Sequence, residues 1–296
     1  MNRIVFSCLV FALALDLCAA EGHVDAVIAD IRASVLRLRA ADSEVVPFAF
    51  WDFDGTIIKG DVSIGLVEDG KTCYRGLLEE VLSAGWVPIY QGPNAYRTWQ
   101  KDYARMAEIG SWLAQSFDAQ MFGGVSSAAL DAFCQAKIRE NGYEKWYFSS
   151  SVAIWKALDE MGVRNFVISA NMEALVRNLA PTLGIPRDRV RGCRTDEVGG
   201  LWTRRIQYPV LTGEGKAELV ARVVGDCPHG VAIAGFGNSY STDAAFLHYI
   251  AKQNLPAKAR PLAVMINGGI APVAYKNVFR TVEQSEILGN AGINSH

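Results

Sequence analysis

The chain has 296 residues, 50% of them hydrophobic and 20% charged, with a formal net charge of −2 at pH 7. Such numbers describe an ordinary globular protein, either one large domain or a core with an insert. The near-neutral charge gives no electrostatic reason to expect nucleic acid or a membrane surface as a partner.

The first twenty residues, "MNRIVFSCLVFALALDLCAA", open with Arg3, continue through an apolar stretch interrupted by Asp16, and end in small residues. That is the layout of a secretory signal peptide over residues 1–20, too short for a membrane span. The expected location is therefore exported, periplasmic or secreted. Leu17 stands before Cys18 where a lipoprotein signal needs a small residue, so no stable membrane association is expected after cleavage. Export makes disulfides permissible among Cys73, Cys134, Cys193 and Cys227. Any pairing is expected to stay within the insert (Cys73, Cys134) or within the core (Cys193, Cys227); four free thiols are the alternative.

Residues 21–41 place Val24, Val27, Ile28, Ile31, Val35 and Leu38 at helical spacing. "VPFAFWDFDGTI", residues 46–57, then reads as a buried parallel strand that ends in two aspartates, with Gly55 turning the chain out of the sheet. From about residue 65 to 148 the sequence reads as helical, with turn signals at "QGPN" and "MFGG", and so as an all-helical insert over 61–148. Its aromatic residues Tyr90, Trp99, Tyr103 and Trp112 read as insert core, with a cage for a quaternary ammonium such as phosphocholine as the alternative.

Strand–helix alternation resumes over 149–296. "VRNFVISA" is a strand, and Asn171 is placed to cap the helix "MEALVRNLAPTLG". "VRGCR" and "LWTRRI" read as short strands around the Gly199-Gly200 turn. "GEGKAELVARVVG" is a helix, "GVAIAGFGNS" a strand and loop, "TDAAFLHYIAKQN" a helix and "PLAVMI" the last buried strand. The fold class is α/β, a doubly wound parallel sheet built from residues 21–60 and 149–296, with its ligands at the carboxyl ends of the strands.

Polar residues gather at those ends: Asp52 and Asp54 after the first strand, Ser169 and Asn171 after the next, and Gly237, Asn238, Ser239 and Asp243 after a third. Lys216 begins a helix. Buried carboxylates need a positive partner. A divalent metal supplies one, and hard oxygen ligands select magnesium (Mg2+). One carboxylate can attack a phosphoryl group while metal and lysine hold its charge. His229 and His248 have no ligand-like spacing.

"DFDGT", "VISAN", "GEGK" and "GFGNSYSTD", in that order around a helical insert, resemble the four motifs of the haloacid dehalogenase (HAD) superfamily, in its phosphoserine-phosphatase-like branch. The resemblance covers residues 47 to about 250. It implies a Rossmann-type core with a helical cap and a phosphomonoesterase acting on a small phosphorylated substrate. Asp52 would be the nucleophile that forms an aspartyl-phosphate, and Asp54 the general acid. Lys216 would pair with both nucleophile and phosphate. Thr56, Gly55, Ser169, Ala170 and Asn171 would surround the phosphate, and Asp52, Asp54, Asn238 and Asp243 would hold magnesium. Asp54 favours phosphate esters over carbon–halogen bonds, because the dehalogenase members lack it. The fourth motif departs from the pattern, with Asn238 where the branch has an aspartate and Asp243 five positions later instead of four. The alternatives are a phosphotransferase using the same intermediate and a catalytically weak phospholigand-binding protein.

Overall fold

The computed structural model describes residues 23–290; the expected signal peptide lies outside them. Strand β1 (Val46–Trp51) shows how the core is built. Successive side chains of a strand point to opposite faces, so Phe48 and Phe50 enter one apolar cluster and Ala49 and Trp51 the other. The strand is buried on both sides, as its unbroken apolar sequence predicts.

One face is covered by helix α1 (residues 23–41) through Val27, Ile31, Val35 and Leu38, all buried. Helices α6 (Ser149–Glu160) and α7 (Glu173–Leu179) join it there. The other face takes α8 (Glu214–Gly225) and α9 (Ala244–Ala251) through Val220, Phe246, Leu247 and Ile250. Between these layers lie β1, β4 (Arg164–Met172), β5 (Val190–Cys193), β8 (Gly230–Gly237), β9 (Leu262–Ile266) and β10 (Arg280–Val282). The six strands are parallel in the order β10-β9-β8-β1-β4-β5. From β1 the chain builds first toward β5 and then, from the other side, toward β10. The strand order therefore reverses around β1, and a crevice opens at the carboxyl ends of β4, β1 and β8.

The insert between β1 and α6 contains α2 (Leu77–Ser83), α3 (Ala95–Ile109), α4 (Ser111–Gln120) and α5 (Ser127–Asn141). It is not wholly helical. β2 (Gly65–Glu68) and β3 (Lys71–Arg75) form an antiparallel hairpin. Its turn residues Asp69 and Gly70 both have positive φ, 50° and 73°, the pattern of a type I′ turn.

A second hairpin, β6 (Thr195–Val198) with β7 (Leu201–Ile206), turns at Gly199 and Gly200. The "VRGCR" strand expected beside that turn is β5, which belongs to the central sheet. β10 was not foreseen. Among the described residues no helix is long and apolar enough to cross a membrane, and Cys73, Cys134, Cys193 and Cys227 are free thiols.

Candidate active site

The residues expected at the strand ends form two layers. The upper layer lines a cavity of about 680 Å³ and contains Asp52, Asp54, Gly55, Ser169, Ala170, Asn171 and Asn238. Beneath it lie Thr56, Lys216 and Asp243, each completely buried.

The lower layer is organised by Lys216, which the first turn of α8 carries under the sheet ends. Its Nζ donates to Asp52 Oδ1 and to Asp243 Oδ1, each at 2.6 Å. Burial works against the ammonium, but Asp243 and Asp52 outweigh it and raise its pKa, so it stays charged. Asp243 Oδ2 accepts from the main-chain amides of Asn238 and Ser239, both at 3.0 Å. This acid is thus a partner for lysine and loop, not the cavity-facing magnesium ligand expected. Thr56 also turns away from the cavity, since its Oγ1 donates to Asp52 Oδ2 at 3.2 Å. It orients the carboxylate instead of facing a phosphate.

The two aspartates of "DFDGT" occupy different surroundings. Asp52 is 5% exposed. Burial and the charge of Asp243 raise its pKa to about 7 against the opposing pull of Lys216. Asp54 has no ammonium beside it. Burial, then Asp61 and Asp52, push its carboxyl well above the usual range. Oδ1 of Asp54 accepts from the Val62 amide at 2.6 Å, and its Oδ2 from Asn171 Nδ2 at 2.9 Å and Ser169 Oγ at 3.3 Å. Those bonds hold both Asp54 oxygens against the Val62 amide, Ser169 and Asn171.

Asn171 does not cap a helix. The N-cap of α7 is Met172, which makes no side-chain cap bond. Asn171 instead ties the crevice to the insert: its Nδ2 also donates to Asp61 Oδ1 at 3.2 Å, and its Oδ1 accepts from Ser63 Oγ at 2.5 Å.

Asp61 and Ser63 belong to a group of cavity residues that sequence reasoning missed. The group also includes Gln115 and Asp118 of α4, Gln100 of α3 and Thr242 from the fourth motif loop. Asp118 is 2% exposed and accepts from Trp99 Nε1 at 2.7 Å. Burial raises its pKa to about 7. Its signal in the sequence was an acid one helical turn from Ala114 on the buried face of α4. Trp99 and Tyr103 line the cavity, whereas Tyr90 and Trp112 do not.

For magnesium, no group of three or more His, Cys, Asp or Glu side chains among the described residues is arranged as a metal site. Of the four ligands expected, Asp52, Asp54 and Asn238 line the cavity and Asp243 does not. Asn238 lies directly across from Gly55, whose φ is +70°; a Cβ on Gly55 would stand 2.0 Å from Asn238 Nδ2. Magnesium commonly takes only one or two protein oxygens and completes its shell with water and substrate phosphate. Asp52 and Asn238 fit that pattern.

The chain resembles a structure of unknown function from Bordetella pertussis Tohama I (TM-score 0.59, 15% identity, covering 80% of this chain and 98% of that one). It also resembles a functionally unknown protein from Anaerococcus prevotii DSM 20548 (TM-score 0.53, 14% identity, 80% and 85% covered). A substrate-bound phosphoserine phosphatase aligns at TM-score 0.46 and 12% identity, covering 81% and 93%. No curated protein matches the sequence. The family profile of haloacid dehalogenase-like hydrolases matches residues 49–248, a span that holds all four motifs and the whole insert, and the chain belongs to that family.

Proposed function

We propose that the protein is an exported, magnesium-dependent phosphomonoesterase that hydrolyses a small phosphate ester through an aspartyl-phosphate on Asp52. The observation that carries this reading is the unequal pair of aspartates on one cavity. Asp52 rests on a buried ammonium at 2.6 Å, while Asp54 has none and is pushed well above the usual carboxylate range by burial and by Asp61 and Asp52. Carboxyl groups whose environments separate their pKa values divide into nucleophile and acid.

A carboxylate oxygen of Asp52 attacks phosphorus, the ester oxygen leaves, and Asp54 gives that oxygen its proton. Asp54, now ionised, takes a proton from the water that hydrolyses the aspartyl-phosphate, which restores both side chains and releases phosphate. Lys216 fixes Asp52 and, with Asp243, keeps the buried charge balanced. Ser169 and Asn171 orient Asp54 through the O–H and N–H groups they donate to it. Asp52 and Asn238 would hold magnesium, which when bound offsets the negative charge of the phosphate.

Asp52→Asn tests the reading with a generic aryl phosphate in the presence of magnesium. Turnover is expected to disappear with the fold retained, and residual activity above about one per cent would refute the nucleophile assignment. Product analysis with added alcohols distinguishes hydrolysis from transfer. Asp54→Asn should slow turnover by roughly a hundredfold, and alkyl esters should suffer more than aryl esters, whose leaving groups need less protonation.

A further inference from the structure

Charge along the cavity is one-sided. Asp52, Asp54, Asp61 and Asp118 line it, and among the described residues no lysine, arginine or histidine does. Asp52 and Asp54 belong to the phosphate end. On the insert side, Gln115 and Asp118 stand three positions apart on α4, a spacing that puts them on one face.

Both present acceptors that the protein leaves open. Gln115 Oε1 is buried without a hydrogen-bond partner, because this side chain uses its Nε2 on Tyr103 Oη at 3.1 Å. Asp118 takes Trp99 Nε1 on Oδ1, and among the described residues its Oδ2 has no partner. A buried acceptor without a donor is costly, so a wall that holds Gln115 Oε1 buried and unpaired beside the open Asp118 Oδ2 is incomplete without a donor from the ligand. The rings of Trp99 and Tyr103 flank the same space and favour a cation.

We propose, resting on the phosphatase reading above, that the substrate is an aminoalkyl phosphate whose alcohol portion carries a primary ammonium and no carboxylate. The ammonium supplies N–H donors to Asp118 Oδ2 and Gln115 Oε1. A carboxylate on the same portion would meet acids and no basic side chain. A trimethylammonium would satisfy the charge but leave both acceptors without N–H donors.

The test compares kcat/KM for 2-aminoethyl phosphate, propyl phosphate, O-phosphoserine and choline phosphate. It is paired with calorimetric binding of 2-aminoethylphosphonate and propylphosphonate. The aminoethyl ester is expected to exceed each of the other three by at least about tenfold, with the same order in the two phosphonates. Asp118→Asn and, separately, Gln115→Leu should shrink the aminoethyl-to-propyl ratio severalfold. Parity of aminoethyl and propyl esters, or preference for the serine or choline ester, would overturn the proposal while leaving the phosphatase reading intact. Tighter binding of the aminophosphonate without turnover of any ester would support the ammonium site and refute the phosphatase reading. Absence of both would refute the two together.

Discussion

Asp131 on α5 of the insert and Arg177 on α7 of the core are joined by a two-pronged ion pair, Arg177 Nε to Oδ1 at 3.1 Å and Nη2 to Oδ2 at 2.8 Å. Arg187 Nη1 and Asn178 Nδ2 reach the same carboxylate at 3.0 and 2.8 Å. The Arg177 guanidinium also lies over the Trp202 ring, 4.7 Å from its centre. Both partners of the pair are mostly buried, so the connection resists screening better than a surface bridge. Asp131→Ala should cost about 2–4 kcal/mol, because it leaves two arginines without their acid. A double-mutant cycle with Arg177→Met, read by urea unfolding, should show coupling of at least about 1 kcal/mol.

The buried triad of Lys216, Asp52 and Asp243 predicts an order of severity. Lys216→Met leaves two carboxylates facing each other without a cation and should cost about 3–5 kcal/mol. Adding Asp243→Asn in the same chain should recover part of that loss although both proteins are inactive. Urea midpoints of the single and double variants check this; a double variant less stable than Lys216→Met alone would contradict the arrangement.

Of the two magnesium ligands expected from the fourth motif, Asn238 lines the cavity and Asp243 does not. Asn238→Asp should therefore lower the magnesium concentration for half-maximal activity roughly fivefold, the effect of about 1 kcal/mol from one added, well-screened charge. Asp243→Asn should reduce stability and activity without moving that midpoint. A shift confined to Asp243→Asn would reverse the assignment.

Much of this site was legible because its motifs lie at the ends of apolar strands. "VPFAFWDFDGT" shows a buried run and two acids at its end, and β4 and β8 show the same change from apolar to polar. What the motifs do not show is which side of the strand end each residue faces. Asp243 and Thr56 have the right chemistry for ligands, yet their oxygens are engaged with Lys216, the loop amides and Asp52. The insert was harder to read. Asp61, Gln115 and Asp118 carry no motif, and their common cavity arises only when α4 folds over the crevice. The Asp69-Gly70 turn was a local signal for the β2–β3 hairpin, outweighed by the helical sequence after it. β10 has three residues, Arg280, Thr281 and Val282, of which only Val282 is buried, so no apolar run announces it.

Asp118 predicts a pH effect on stability. Its pKa is raised to about 7 in the folded chain, first by burial, against about 3.9 when unfolded. Between those values the folded state binds more protons than the unfolded state, so this group's contribution falls as pH rises from about 4 to 7 and is constant above. Asp118→Asn removes the dependence. Its melting temperature relative to the parent should therefore climb across that window, by no more than about 4 kcal/mol of stability. Equal differences at pH 4.5 and pH 8 would contradict the buried, proton-holding state of this carboxyl.

The β6–β7 hairpin gives the insert a third attachment. Two linkers already run side by side, where the Phe148 amide donates to Ile57 O and the Lys59 amide to Trp146 O, each at 2.9 Å. On the opposite edge Gly124 donates to Trp202 O at 2.7 Å, Trp202 to Val125 O at 3.0 Å and Ser127 to Gly200 O at 3.0 Å. A plate held along two edges does not swing like a door on one hinge. The amides of Gly124 and Ser127 in the insert, and of Trp202 in the hairpin, should then exchange slowly together. Cutting the hairpin down to a tight turn would free the far edge and turn a braced roof into a flap.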